Sequence, residues 1–235
     1  MSKSISIHQP NFLPWIPYLF KMNNSDIHIC LDLVEFSKNS WINRCCYTAD
    51  KSSKYFTIPV KKTDTSLSIN EVRISKDMRH FKKAYKTTLS LSKKYPGREN
   101  VKQIWDIILE SIKTTEKLTV VNHAVQNYIR HLLGINTNIE YSADNLTFKD
   151  YHKGELVKYI CKTYNASHYL TGIGSLEYLK KDFGVSIIEI TPGTLNLKHD
   201  EINTVDFILK YGKYAKERFQ EISVDIKKAG TQVEM

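Results

Sequence analysis

The chain of 235 residues fits one α/β domain, and its 41% hydrophobic and 25% charged residues exclude a largely disordered protein. No apolar run is long enough for the core of a signal peptide or for a membrane-spanning helix. The 34 Lys and Arg residues exceed the 25 Asp and Glu residues, and the net charge of +9 favours anionic partners or a solvated, lysine-rich surface.

The beginning of the chain predicts a strand, a helix and a second strand, over Ser4–Gln9, Trp15–Asn23 and Ile27–Leu31. Pro14 suits the first position of the helix. Strands joined through a helix run parallel, so Gln9 and Asp32 are expected at the carboxyl edge of one sheet. Ligands of α/β proteins favour that edge.

The middle of the chain changes from strands to helices. The segment Asp32–Asp50 is polar and aromatic without periodicity, which predicts a functional loop, and a strand follows at Tyr55–Val60. A helical insertion is then predicted at about residues 77–134, with helices at Asp77–Lys94, Val101–Ile112 and Leu118–Leu133. Gly134 is the expected cap of the last helix.

The last part of the chain returns to alternating strands and helices. Strands are predicted at Ile139–Ser142, His168–Thr171 and Val185–Ile190, and helices at Lys153–Tyr164, Leu176–Phe183, Thr204–Tyr211 and Lys213–Ile222. Residues 227–235 are predicted to form a loose tail. The whole pattern predicts one α/β domain over residues 1–235, with a mostly parallel sheet flanked by helices.

A histidine, two amides and a tryptophan lie where the first strand meets the first helix. His8 is a candidate catalytic base or phosphate ligand, because imidazole titrates near neutrality and a helix N-terminus attracts anions. Gln9, Asn11 and Trp15 are candidate substrate-binding residues beside it. Alternatively, His8 and Gln9 hydrogen-bond the sheet edge while Trp15 simply packs. The segment contains no glycine, which excludes a phosphate-binding loop or a dinucleotide fingerprint here.

The segment after the second strand carries a denser polar cluster. Asp32 and Glu35 are candidate catalytic carboxylates, which can orient an amine, a hydroxyl or a metal. The candidate substrate-binding residues of this cluster are Lys38, Asn39, Trp41, Asn43 and Arg44. The two cations can clamp a phosphate or a carboxylate, and the tryptophan can stack on a sugar or a base. A solvated loop with internal salt bridges is the alternative.

Two glycines follow the strand predicted at His168–Thr171. Gly172 and Gly174 precede a predicted helix, so their backbone N–H groups are candidate anion ligands. Alternatively, Ser175 caps the helix and Gly172 supplies a positive φ angle.

Several kinds of site lack support in the sequence. No histidine or cysteine pair has metal-ligand spacing, so no metal site is predicted. The cysteines, Cys30, Cys45, Cys46 and Cys161, fit free thiols in a reducing cytoplasm. The lysines are dispersed and no nucleic-acid-binding motif appears, so a phosphorylated small molecule is the favoured partner.

The most specific motifs lie in the first fifty residues: His8-Gln9-Pro10-Asn11, Leu13-Pro14-Trp15, Tyr18, Asp32, Val34, Phe36, Lys38, Ser40-Trp41 and Asn43-Arg44. In these motifs the chain resembles the WbqC-like protein family. The resemblance continues through Pro59-Val60, the segment from Tyr169 to Tyr178, and Asp206–Gly212. Pro17, Glu35 and Lys210 stand where such sequences more often carry Gly, Gln and Asn.

The resemblance implies a setting in the synthesis of bacterial O-antigen and related surface polysaccharides. It also implies an acyl or aminoacyl transferase, one that moves glycine for example, or an ATP-dependent amide ligase. The acceptor would be a nucleotide-linked amino sugar, and ATP is a candidate cofactor. The alternative is a non-catalytic protein of the same pathway that binds nucleotide sugars or acts as a scaffold.

Overall fold

A computed structural model describes residues 2–49, 52–61, 67–176, 179 and 183–224. The strands are β1 (Ser4–His8), β2 (Ile27–Cys30), β3 (Arg44–Ala49), β4 (Ser52–Thr57), β5 (Asn138–Tyr141), β6 (His168–Thr171) and β7 (Ser186–Glu189). The helices are α1 (Ile16–Asn23), α2 (Arg79–Leu91), α3 (Arg98–Thr114), α4 (Leu118–Leu133), α5 (Lys153–Thr163), α6 (Ile173–Leu176), α7 (Thr204–Tyr211) and α8 (Ala215–Gln220).

Five of the described strands form one parallel sheet in the order β5-β2-β1-β6-β7, which confirms the predicted α/β class. From the central strand β1, the chain first winds outwards through β2 to β5. It then crosses to the other side of β1 for β6 and β7. The winding therefore reverses between β1 and β6, and open α/β sheets bind ligands at the carboxyl ends of the strands at such a reversal.

The segment from β3 to β4 is a separate antiparallel hairpin. The prediction that residues 32–50 form a loop is therefore wrong for the second half of that segment, and the strand predicted at Tyr55–Val60 begins earlier, at Ser52. Cys45 and Tyr47 are buried while their neighbours are less so, which is the alternation of a strand. The alternation is weak in the sequence because cysteine replaces the branched residues typical of strands.

The helices agree with most of the predictions. The helical insertion lies at α2, α3 and α4, and Gly134 caps α4 with a φ of 73°. Helix α1 begins at Ile16, so Pro17 rather than Pro14 occupies its first turn. The closing helix predicted from Lys213 begins as a 3₁₀ turn and becomes α8 only at Ala215. Most of the predicted helix Leu176–Phe183 and all of the predicted tail at 227–235 lie outside the described residues.

The two faces of the central strands differ in chemistry. Ile5, Ile7, Ile27 and Ile29 belong to an apolar core shared with α5. Because side chains alternate along a strand, Ser6, His8, His28 and Cys30 face the other side, towards α1 and α4. The sheet therefore buries a polar layer directly beneath the carboxyl edge.

Candidate functional site

His8 ends β1, at the point where the winding of the sheet reverses. Its Nδ1 lies 3.1 Å from the carbonyl oxygen of Gln9, and because a carbonyl only accepts hydrogen bonds, Nδ1 carries the ring proton. Burial and the charge of Lys21 lower the pKa of His8 well below its usual value, so the ring is neutral at about pH 7. Its Nε2 is therefore an unprotonated base, without a hydrogen-bond partner among the described residues.

Lys21 on α1 is a buried cation at the same edge. The residue is 3% exposed and forms no ion pair or hydrogen bond within the described ranges. Burial lowers its pKa to about 8. A Cβ atom added to Gly172 would lie 3.5 Å from the Lys21 Nζ, so the amine lies against the backbone at the end of β6. A buried charge without a partner is costly, and an anionic ligand is the partner that would offset the cost.

The sequence prediction missed Lys21, although a signal exists. Helix α1 buries every residue from Ile16 to Met22, and the lysine lies within that run. A lysine normally extends its amine to water, and a short helix that is apolar on all sides leaves no solvated face for it. A lysine inside such a helix is therefore a candidate for a buried, functional amine.

A chain of buried hydrogen bonds lies beneath these two residues. The Ser25 hydroxyl donates to the carbonyl oxygen of Met22 at 3.0 Å, so in the 2.7 Å contact between Ser6 and Ser25 the Ser6 hydroxyl donates. The 2.8 Å bond between Ser6 and His28 must then use an Nδ1–H donor. Burial, with the charge of Lys21, lowers the pKa of His28 to about 3, so its Nε2 is unprotonated.

The hydrogen-bond chain ends on Tyr18, which contacts His8. The Tyr18 hydroxyl donates to the His28 Nε2 at 3.0 Å, because that nitrogen carries no proton and can only accept. The Tyr18 ring packs edge-on against the His8 ring, with centroids 4.5 Å apart and planes at 63°. Tyr18 therefore has a fixed orientation and holds the His8 imidazole in place.

The two glycines differ in their surroundings. Gly172 does not have a positive φ angle, and Ser175 lies inside α6 rather than before it, so the alternative that assigned them a turn and a cap is wrong. A Cβ atom added to Gly172 would meet the Lys21 Nζ at 3.5 Å and the Ile190 carbonyl oxygen at 3.8 Å, which are ordinary van der Waals contacts. An added Cβ at Gly174 would meet nothing within 4 Å. Only Gly172 therefore lies at the amine of Lys21.

The two candidate carboxylates have different environments. Asp32 is buried, and its Oδ1 accepts hydrogen bonds of 2.9 Å from the Ser142 hydroxyl and from the Ala143 N–H. Asp32 thereby ties the end of β2 to the segment after β5. Glu35 is exposed and pairs through its backbone with Ser68. No hydrogen bond joins either carboxylate to His8 in the described part of the chain.

Two buried amides on α4 hold the loop between β1 and α1. Asn122 donates 2.8 Å hydrogen bonds to the carbonyl oxygens of Pro10 and Ile42, and Gln126 donates to that of Asn11 at 2.8 Å. The sequence prediction did not include Asn122 and Gln126. Their spacing of four residues on the apolar face of an amphipathic helix was the available signal, because buried amides need partners.

Arg44 lies between two exposed aromatic rings. Its Cζ is 5.6 Å from the centre of the Trp41 ring and 4.9 Å from that of Tyr55. Its Nε is buried and has no hydrogen-bond partner among the described residues. The contacts are of the cation–π type, and they leave the outer guanidinium nitrogens available to a ligand.

The remaining predicted residues divide into exposed, structural and pocket-lining positions. Lys38 and Asn39 are exposed, and Asn39 has a φ of 58° in a turn. Asn43 is buried and donates to the Ile58 carbonyl oxygen at 3.0 Å, so it anchors the hairpin. Asn11 and Trp15 line a pocket together with Trp41.

Within the described ranges, no group of three or more His, Cys, Asp or Glu residues is placed to hold a metal ion. The four cysteines are free thiols. None of the described helices combines the length and apolar character needed to cross a lipid bilayer.

Comparisons with known proteins identify the family of the chain. The family model of the WbqC-like protein family matches residues 9–192, most of the chain. A Mycobacterium tuberculosis protein, named Uncharacterized protein Rv1507c, is 27% identical over 182 residues, which cover 75% of each chain. No solved structure matches the chain.

Proposed function

Because the chain belongs to the WbqC-like protein family, we propose that it is an acyl or aminoacyl transferase, or an ATP-dependent amide ligase, acting on a nucleotide-linked amino sugar. Its reaction would belong to the cytoplasmic steps of O-antigen or other surface-polysaccharide synthesis. The observation that carries the proposal is the unpaired amine of Lys21, whose charge acts on the neutral imidazole of His8, at the reversal point of the sheet. A base and an anion site at one edge suit amide formation on a phosphorylated substrate.

The two side chains have distinct roles in this chemistry. The amine of the sugar attacks the acyl carbon of the donor, a C–N bond forms, and the bond between that carbon and the leaving group breaks. The His8 Nε2 takes the proton that the amine loses. Lys21 stabilises negative charge on the leaving group or on a phosphate of the substrate. ATP, where it is used, would supply the energy for activating the carboxylate.

Binding of an anion would also strengthen the base. The charge of Lys21 contributes to lowering the pKa of His8. An anion paired with Lys21 offsets that charge, so the pKa of His8 rises towards neutrality, where a general base is most effective. The proton acceptor therefore becomes more basic when the substrate is in place.

One observation favours a non-catalytic nucleotide-sugar-binding protein as the second candidate. Asp32 is occupied by Ser142 and Ala143, and Glu35 is exposed. His8 would then have no carboxylate to orient it or to share its proton, as most histidine bases do. A binding protein needs only the anion site.

The test combines a transfer assay with binding measurements. The protein is incubated with a uridine diphosphate amino sugar and either ATP with glycine or an acyl-coenzyme A, and mass spectrometry detects the amide. Calorimetry measures the affinity for the nucleotide sugar. The variants are His8→Gln and Lys21→Met, and the matched control is Lys102→Met on the exposed surface of α3.

The proposal expects amide product from the wild type and from Lys102→Met, with a large loss in both site variants. Binding without product for every donor would favour the second candidate. Absence of both product and binding, or full activity in His8→Gln, would contradict the proposal.

A further inference from the structure

A pocket of about 190 Å³ opens between the β1–α1 loop, the β3–β4 hairpin and the start of α7. Leu13, Trp15, Trp41 and Val205 make its walls mostly apolar, and Asn11 and Asn203 add amides. A pocket of this composition suits a flat, weakly polar group held by a few hydrogen bonds.

The aromatic wall of the pocket is exposed to ligands. Trp41 lines the pocket and is 50% exposed, and its neighbour Tyr55, outside the lining, is 52% exposed, with ring centres 6.1 Å apart. The backbone of Trp41 is held firmly, because its carbonyl oxygen accepts a 2.8 Å hydrogen bond from the Phe12 N–H. An exposed ring on a fixed backbone is a stacking surface that needs little ordering when a ligand binds.

Asn11 supplies the second observation that points to a ligand. The residue is 4% exposed and lines the pocket, yet its side-chain amide forms no hydrogen bond with any described residue. The amide nitrogen and oxygen of Asn11 do not belong to the fully buried atoms that lack a partner in the described part of the chain, so they reach the pocket, where a ligand can pair with them. A ligand edge that offers one donor and one acceptor would satisfy both atoms.

We infer that this pocket binds the nucleobase of a nucleotide. A nucleobase is flat enough to stack on Trp41, and its edge carries the donor–acceptor pair that an amide such as that of Asn11 recognises. A pyranose ring would bring several hydroxyl groups into walls that offer few partners. Arg44 lies against Trp41 with free guanidinium nitrogens, so a phosphate on the ribose of the nucleotide would have a cation nearby.

The inference rests on the proposed function and deepens it, because it assigns the nucleotide part of the substrate to this pocket. Asn11 and Trp15 belong to the loop that follows His8, so the same β1–α1 loop links the nucleobase pocket to the edge of the sheet where His8 lies. Recognition of the nucleobase would then select the substrate, while His8 and Lys21 act on the sugar end of the same molecule.

Calorimetry with ligands that differ only in the base tests the inference. The wild type is titrated with UMP, CMP, AMP and GMP, with the matching nucleosides, and with glucosamine 1-phosphate, which has no base. At least one nucleotide and its nucleoside should bind, and glucosamine 1-phosphate should bind more weakly. Trp41→Ala should weaken binding by about 5- to 150-fold, the range expected for one base stacked on an aromatic ring.

Two further variants serve as a control for the removal of an exposed aromatic ring and as a test of hydrogen bonding to the edge of the nucleobase. Tyr95→Ala removes an aromatic residue that is 51% exposed outside the pocket lining, and it should leave the affinities unchanged. Asn11→Leu should reduce the differences in affinity among the four bases without lowering the melting temperature, because the amide has no partner to lose.

The outcomes distinguish this inference from the proposed function. Two results would overturn the assignment of a nucleobase to this pocket, even if the transfer reaction is found. One is equal affinity of the wild type and Trp41→Ala, and the other is equal affinity for ligands with and without a nucleobase. Base-dependent binding that Trp41→Ala and Asn11→Leu alter would support the pocket even if no donor yields an amide.

Discussion

Replacing Lys21 by Met separates stability from binding, because Met keeps an unbranched side chain and removes the charge. Burial lowers the pKa of Lys21 from 10.5 to about 8, which corresponds to roughly 3 kcal/mol of destabilisation while the amine is protonated. We therefore expect Lys21→Met to raise the free energy of unfolding by roughly 1–3 kcal/mol at about pH 7. The same variant should bind pyrophosphate or a nucleotide sugar at least about tenfold more weakly, because it loses a charge-assisted contact.

The gain in stability should depend on pH in a defined direction. As the pH rises from about 8 to 10.5, the folded chain releases the Lys21 proton while the unfolded chain still holds it. Stability of the wild type therefore increases across this window relative to the variant. The advantage of Lys21→Met should be largest below about pH 8 and nearly absent above the ordinary pKa of a lysine side chain, about 10.5. Urea unfolding of both proteins at about pH 7 and pH 10 measures it.

The exposed Lys102→Met variant should show neither effect, since its charge is solvated. Lower stability of Lys21→Met at neutral pH would refute the description of Lys21 as an unpaired buried cation. A stability difference that stays constant between the two pH values would refute it equally.

Three further predictions concern His8, Tyr18 and the ion pair of Glu201 with Arg218. His8→Gln should keep the fold and most of the ligand affinity while lowering turnover by about 10²–10⁴-fold, and a wild-type rate that is independent of acid pH would contradict the role of a base. Tyr18→Phe should lower the free energy of unfolding by about 1–3 kcal/mol in urea titrations, because it leaves the buried Nε2 of His28 without a donor; an unchanged value would contradict the hydrogen-bond chain. Arg218→Met should lower the free energy of unfolding by about 3–5 kcal/mol. The carboxylate of Glu201 is 0% exposed and lies 2.9 Å from Arg218, and the variant leaves this buried charge without its main partner. Burial opposes ionisation of Glu201, but hydrogen bonds, first that of Arg218, lower its pKa to about 2. The stability contributed by the ionised carboxylate is therefore fully present above about pH 4.5 and is lost as the pH falls towards 2. Acid titration of the wild type measures this loss.

Much of the fold could be predicted because local patterns encode it. The bounds predicted for Leu118–Leu133 and His168–Thr171 agree with α4 and β6 at both ends. Apolar periodicity and a glycine cap depend on neighbouring residues, which a single sequence displays. Strand β3 of the hairpin was missed because its core-facing Cys45 and Tyr47 give a weak alternation, and tertiary burial decides such cases.

The candidate site was only partly predictable, because tertiary burial, which a single sequence does not display, decides part of it. The sequence by itself determined the α/β class and a polar group, His8, at the carboxyl edge of a parallel strand, because strand–helix–strand connections have one favoured geometry. Only the tertiary structure decided that β6 lies beside β1, which brings Gly172 against Lys21. It alone decided that Lys21 is buried without a partner, because burial and pairing depend on segments that are distant along the chain. The physical cause is that charge and hydrogen bonding respond to the local dielectric and to the atoms packed around a group, which are properties of the assembled fold.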